Sequence, residues 1–270
     1  MKMLAIVFLF SFMSLFCQKS IYEQAKLIED EGRKLYKLEM ASWYGTDIFR
    51  DKYTNNKDVG GYFSYIIKDS IRCIYFSNYE NPKVIGSFTF DTTFNLTTTS
   101  IDLSERDFTK FEFDLYEIRQ KSKVEVFTDT LFKHFKITNF NLIPIVEIGT
   151  RKVYILTAPI DNKVIIFGND YLLEFDYNNN LLSKKKLHNN IISIENDTNT
   201  VFTYHGHNSQ TGDLITATDI CTILLYNRFT KWKYHAVMGK DYVSVWDYRL
   251  DKLFIFTKEE WLEDINKKGK

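Results

Sequence analysis

The chain has 270 residues with 35 basic and 35 acidic side chains, so its formal charge is zero. No basic block is longer than Lys184-Lys185-Lys186, which excludes the electrostatic footprint of a nucleic-acid binder. With 44% hydrophobic and 16% aromatic residues but only 3 Pro and 11 Gly, a linker-rich or low-complexity protein is excluded too, leaving one large or two small domains.

Residues 1–17 read as a secretory signal peptide. Lys2 supplies the positive end, Met3 to Phe16 is apolar apart from Ser11 and Ser14, and polar Gln18-Lys19-Ser20 follows at once. Cleavage near Cys17 and Gln18 leaves a mature chain with no transmembrane span, 34 basic against 35 acidic residues, secreted or held in a bacterial envelope or periplasm. Lipid anchoring at Cys17 is the alternative, although Phe16 is large where a lipobox carries a small residue. Cys73 and Cys221 lie in apolar runs and read as buried free thiols rather than a disulfide framework.

Residues 18–138 read as an N-terminal helix and strand region. Ser20 to about Trp43 is helical, with Ile21, Ala25, Ile28, Leu35 and Leu38 on one face. Asp47 to Asp58 is turn-like, and strands are expected at 62–67, 72–77, 84–90 and 95–101. A second helix is expected from Ser104, capped with Asp107, to about Lys121, with strands again from Val124. Residues 139–270 then read as strands at 152–156, 163–167, 171–177, 191–195 and 198–204, a loop at 208–213, and a helix from Thr216 to about Arg228. Strands at 234–238, 242–248 and 253–257 and a short helical tail complete an α+β fold in which a mixed sheet is flanked by helices.

The chemistry concentrates at His205-Gly206-His207. Two imidazoles at i and i+2 of a strand share a face, and a carboxylate from the next helix, Asp219 in Thr216-Ala217-Thr218-Asp219, would complete a two-His, one-Asp site open to water. The same Thr216-x-x-Asp219 also fits an ordinary capping box with no metal. The order strand, His-x-His, eight-residue spacer, Thr-x-x-Asp, helix, strand pair resembles the JAMM (MPN-plus) metalloprotease family over roughly residues 140 to 257. That resemblance implies zinc held by His205, His207 and Asp219, Thr216 as oxyanion stabiliser where the family has Ser, and a general base on an earlier strand. Glu147, 58 residues before His205, best fits that base, with Glu174 as its rival. Structurally, Glu147 would simply pair with Arg151 or Lys152.

The implied activity is hydrolysis of peptide or isopeptide bonds in a peptide or protein substrate. Two alternatives stand beside it. One is a non-catalytic envelope protein that keeps the scaffold and binds a partner or glycan. The other is a peptidoglycan-cleaving zinc peptidase using His207, Asp213 and His235, whose spacing is off by one. His235 otherwise reads as a core or surface histidine or a partner to a ligand, and His134 and His188, among lysines, read as solvated.

Overall fold

The computed structural model describes residues 20–53, 56–161, 164–195 and 199–268, so the expected leader and Cys17 lie outside the described residues. Its four helices and its antiparallel and mixed sheets make an α+β fold. No described helix is long and apolar enough to cross a membrane.

Helix α1 spans Ile21–Lys52 and starts on a capping box in which Ser20 Oγ accepts from the Glu23 amide and Glu23 returns the bond. It continues past Trp43 because Ala41, Gly45 and Phe49 extend the buried face, which the outward Asp47 and Asp51 disguise in the sequence. Strands β1 (Val59–Ile67), β2 (Ser70–Ser77), β3 (Val84–Asp91) and β4 (Ser100–Asp102) form an antiparallel meander. The strand expected at 95–101 is replaced by a 3-10 turn over Leu96–Thr98 before the short β4. Asp91 and Asn95 side chains bond the amides and hydroxyls of Thr93 and Thr97 and the hydroxyl of Thr98, and such local bonds displace a strand ladder.

The second helix, α2, runs Lys110–Thr128 and is capped by Thr109 and Glu112, not by Ser104 and Asp107. Arg106 exchanges two backbone bonds with Val84, which keeps residues 104–108 extended. Its guanidinium then makes two 2.7 Å bonds to Glu112. Leu115, Ile118, Ser122 and Val126 are buried at helical spacing, so the chain stays helical past Val124 where a strand was expected.

Four strands form the next antiparallel sheet in the order β5-β6-β8-β9: β5 (Thr138–Glu147), β6 (Thr150–Pro159), β8 (Tyr171–Phe175) and β9 (Leu181–Lys186). Between them, β7 (Val164–Gly168) pairs with β10 (Ile191–Glu195) as a separate ribbon. The last unit carries the His-x-His motif. Strand β11 (Phe202–Gly206) runs parallel to β12 (Tyr234–Met238), joined by helix α3 (Ala217–Tyr226), and β13 (Tyr242–Asp247) and β14 (Lys252–Thr257) extend the sheet antiparallel before α4 (Lys258–Lys268).

Core packing crosses the division expected at residue 138. Leu35, Leu38, Ala41 and Phe49 of α1 pack with Phe88 of the first sheet, Ile143 and Leu156 of the second, and Cys221 and Leu225 of α3. Ala25, near the start of α1, joins Phe167, Ile220, Val237 and Trp246 in another core. Cys73 and Cys221 are free and buried, as expected, and burial pushes the Cys73 thiol up to about 12.

Candidate metal centre

Each arm of the site is placed by a separate local rule. Strand β11 ends at Gly206, and the His207 amide still donates to Met238 O (2.8 Å), so both imidazoles of His-x-His stay registered on β12. Helix α3 begins beside them with Thr216 as its cap, where Thr216 Oγ1 accepts from the Asp219 amide (3.1 Å). In return Asp219 Oδ2 accepts from the Thr216 amide (2.9 Å) and hydroxyl (2.7 Å). The capping box is therefore real, and it occupies only one carboxylate oxygen. The other, Oδ1, is buried with no hydrogen-bond partner among the described residues.

The third arm is His188, expected to be solvated. It is only 6% exposed. The residues just past β9 are brought inward at the β7–β8 turn, where Gly168 (φ +85°) passes so close to Asn190 that an added Cβ would lie 2.4 Å from its carbonyl oxygen. Asn169 and Asp170 of that turn are buried, and Asp170 Oδ1 accepts from the Thr157 amide on β6 (2.8 Å). Asp170 Oδ2 then faces His188 Nδ1 at 3.5 Å, while His188 Nε2 faces Asp219 Oδ1 at 3.4 Å. Neither contact has hydrogen-bond geometry, and both ring nitrogens of His188 are unsatisfied.

The donor atoms converge. His205 Nε2 and His207 Nε2 are 3.1 Å apart, His207 Nε2 is 3.3 Å from Asp219 Oδ2, and His205 Nε2 is 3.6 Å from Asp219 Oδ1. A tetrahedral ion with bonds of about 2.0–2.1 Å separates its ligands by about 3.3–3.4 Å. His188, His207 and Asp219 each offer one atom within 4.8 Å of the others, a group that could hold a metal ion. Unpartnered buried atoms and an all-nitrogen-and-oxygen donor set fit a divalent cation, because an unpaired buried donor or acceptor otherwise costs about 1–3 kcal/mol.

The His205 and His207 imidazoles are also braced from behind, as metal-ligating histidines are. His207 Nδ1 donates to Leu214 O (2.9 Å), so its Nε2 lone pair points into the cluster. His205 Nδ1 meets His235 Nε2 at 3.0 Å, and His235 Nδ1 meets Thr203 Oγ1 at 2.8 Å. His235 is fully buried, stacked on Phe167 and flanked by Trp232, and burial holds it neutral, well below its usual value. The chain Thr203–His235–His205 can run in either direction. One direction has His205 Nε2–H donating to His207; the other has His205 Nδ1–H donating to His235, which would leave Nε2 free to hold a cation.

Electrostatics point the same way. Burial alone would lower the His188 pKa, but the Asp219 and Asp170 carboxylates override it and raise the imidazole to about 10. Burial works against the Asp219 charge as well, and His188 and His205 hold its carboxyl well below the usual range all the same. Both shifts mark a position beside Asp219 and Asp170 that favours a cation, either the His188 proton or a metal ion.

Several expected residues are not brought in. Glu147 is opposite Thr150 on β6, while Thr157 of the same strand touches Asp170; seven strand residues at about 3.3 Å each put Glu147 about 23 Å from that end. Its carboxylate, on a half-exposed side chain, pairs with Lys34 of α1 instead of Arg151 or Lys152. The rival Glu174 lies opposite Lys152, about 16 Å along β6 from Thr157, and accepts from Ser183 Oγ. Thr216 cannot act as an oxyanion donor while its one hydroxyl proton is directed to Asp219. The peptidoglycan-type set also fails to assemble, since Asp213 accepts from the Asp241 amide (2.9 Å) and both nitrogens of His235 are engaged. His188 and Asp170 are the residues that sequence reasoning missed. The lysines of β9 hide the first, and the second sits in what reads as a plain Gly-Asn-Asp turn.

No family model, no curated protein and no solved structure matches the chain.

Proposed function

We propose that this chain is an exported, zinc-dependent hydrolase of peptide or isopeptide bonds, with the ion held by His205, His207 and Asp219 and with His188 at the remaining corner. The observation that carries the reading is the convergence of buried donor atoms at 3.1–3.6 Å while Asp219 Oδ1 and His188 remain unsatisfied. Zinc in such a set supplies Lewis acidity, polarising a carbonyl and acidifying water near neutral pH. The donors are imidazole and carboxylate, the catalytic type, whereas structural zinc sites lean on thiolates. Asp170, itself fixed by the Thr157 amide, orients His188 so that its Nε2 faces the corner beside Asp219 Oδ1. There His188 takes the place the family gives to a glutamate, as the group that holds a proton beside the reacting atoms. The exposed turn Asn208–Gly212 borders the histidines and is the natural contact for a peptide.

A second reading, a closed structural site, is favoured by burial. The His205 and His207 side chains are 1% exposed and Asp219 is 0% exposed, so four protein donors would complete a tetrahedron. Metal analysis separates the readings. Purified protein should hold about one zinc per chain, and His207→Ala should abolish it. If His188→Ala retains zinc but loses chelator-sensitive cleavage of a mixed peptide and isopeptide library, the hydrolase reading stands. If it loses zinc, the closed site stands. Failure of the wild-type chain to bind zinc at all overturns both and leaves a non-catalytic envelope protein.

A further inference from the structure

A second site lies in the groove between α2 and β5. Arg119 projects from α2 into a cavity of about 410 Å³. Its Nε is buried without a hydrogen-bond partner, and the one hydrogen bond its guanidinium makes among the described residues is a long 3.5 Å contact to Gln120 Oε1. No carboxylate pairs with it among the described residues. Arg33, Arg106 and Arg151, also partly buried, are paired with Asp251, Glu112 and Asp114.

The fold builds a slot for this lone guanidinium. It lies over the rings of Phe76 (5.5 Å) and Tyr62 (6.0 Å). Beneath it, β1 carries a bulge at Gly61, whose φ of +152° suits glycine, and a Cβ there would sit 3.2 Å from an Arg119 terminal nitrogen. A bulge, a glycine and two aromatic faces thus hold one cation in place with no carboxylate paired to it among the described residues. The cavity also receives Lys123, which pairs with no acid among the described residues, and its lining contains no aspartate or glutamate. Phe127 and Phe140 supply apolar walls, and Asn139 a polar rim.

A guanidinium always carries its charge and offers a planar fork matched to carboxylate and phosphate. We propose that the Arg119 cavity binds a small organic anion, a carboxylate or phosphate monoester with an aromatic or apolar body. The anionic group takes the Arg119 fork and the Lys123 ammonium, and the body packs on Tyr62, Phe127 and Phe140. The site is independent of the metal cluster and would survive a failure of the hydrolase reading.

Titration calorimetry of the full mature chain with benzoate, phenyl phosphate and benzylamine tests this. At least one of the two anions should bind one-to-one in the millimolar range or tighter, and benzylamine should not; whichever anion binds more tightly identifies the acid group. Lys123→Glu, at an exposed position where folding is undisturbed, should weaken binding by about tenfold or more, and Arg119→Met should abolish it. Because Arg119→Met alters a packed slot, its thermal melt is recorded alongside, and Lys123→Glu decides the matter if that variant is unfolded. No heat from either anion at about 20 mM, or equal affinity in the wild type and Lys123→Glu, overturns the proposal.

Discussion

Replacing Glu39 by glutamine should stabilise the protein, and only above pH 4.5. Glu39 sits on the buried face of α1, 9% exposed, with the Asn141 amide as its hydrogen-bond partner (2.6 Å) and no ion-pair partner among the described residues. Burial raises its carboxyl from 4.5 to about 7, opposed by the bond from Asn141. A carboxyl raised in the folded state keeps its proton after the unfolded chain has lost it. Stability is therefore complete below about 4.5, falls as pH rises from 4.5 to about 7, and stays low above. At about 1.36 kcal/mol per pKa unit the loss reaches about 3 kcal/mol at pH 7 to 8. Glutamine keeps an oxygen for Asn141 and cannot ionise, so Glu39→Gln should recover most of that, about 6–12 °C in melting temperature for a chain of this size. Urea unfolding at pH 4, 6 and 8 measures it: the two proteins should coincide at pH 4 and separate progressively above. A constant difference at all three pH values, or a less stable variant at pH 8, refutes the reasoning.

Zinc at about 1,000 times its dissociation constant should add about 4 kcal/mol to the stability of the wild-type chain, visible as a raised melting temperature, and nothing to that of His207→Ala. His235→Gln should lower zinc affinity about 10–100-fold in a competitive chelator titration without changing the stoichiometry at saturation, because it orients His205 and does not ligate. Glu147→Gln and Glu174→Gln should leave zinc affinity and any chelator-sensitive hydrolysis unchanged; a large loss in either would place a base that the strand register excludes. Glu112→Gln should destabilise by about 3 kcal/mol at pH 7, since it strips a buried partner from Arg106. Arg106, Tyr65 and the Thr109 amide overcome burial to hold the Glu112 carboxyl at about 2, so its contribution is present above 4.5 and lost toward pH 2, and the variant should show a flatter acid limb in urea unfolding.

The later strands were legible because they alternate or run apolar between strong turns: 234–238, 242–247 and 252–257 fall within a residue or so of where the pattern puts them. Two of the errors share a cause. At 95–101 and 104–108, side chains of Asp, Asn, Thr and Arg form specific bonds to neighbouring backbone or to a strand distant in sequence, and composition windows do not register such bonds. Strand β9 was missed because Ser183 to Lys186 is polar on an edge, where the exposed face carries lysines as edge strands do. His188 follows directly, so the same lysines that mark the edge conceal the buried ring. His205, His207 and Asp219 were legible because their spacing is local to one strand and one helix turn. Asp170 and His188 join them only through the tertiary crossing at Gly168, which no sequence period encodes.

The two readings of Thr216-x-x-Asp219, helix cap and metal ligand, looked exclusive in the sequence. They are not, because a carboxylate has two oxygens. Asp219 Oδ2 takes both bonds from Thr216 and fixes the plane of the group, and that fixed plane is what turns Oδ1 toward His188 and His205. The cap thus performs for the acid what Leu214 O performs for His207 and His235 for His205: it sets the orientation of the donor before any cation arrives. It follows that Thr216→Val, which removes a cap worth about 1 kcal/mol, should also weaken zinc binding though Thr216 is no ligand. Thr216→Ser should restore both. If Thr216→Val lowers helix stability while zinc affinity stays at the wild-type value, cap and ligand are separate functions of the residue and the donor plane is set by the core alone.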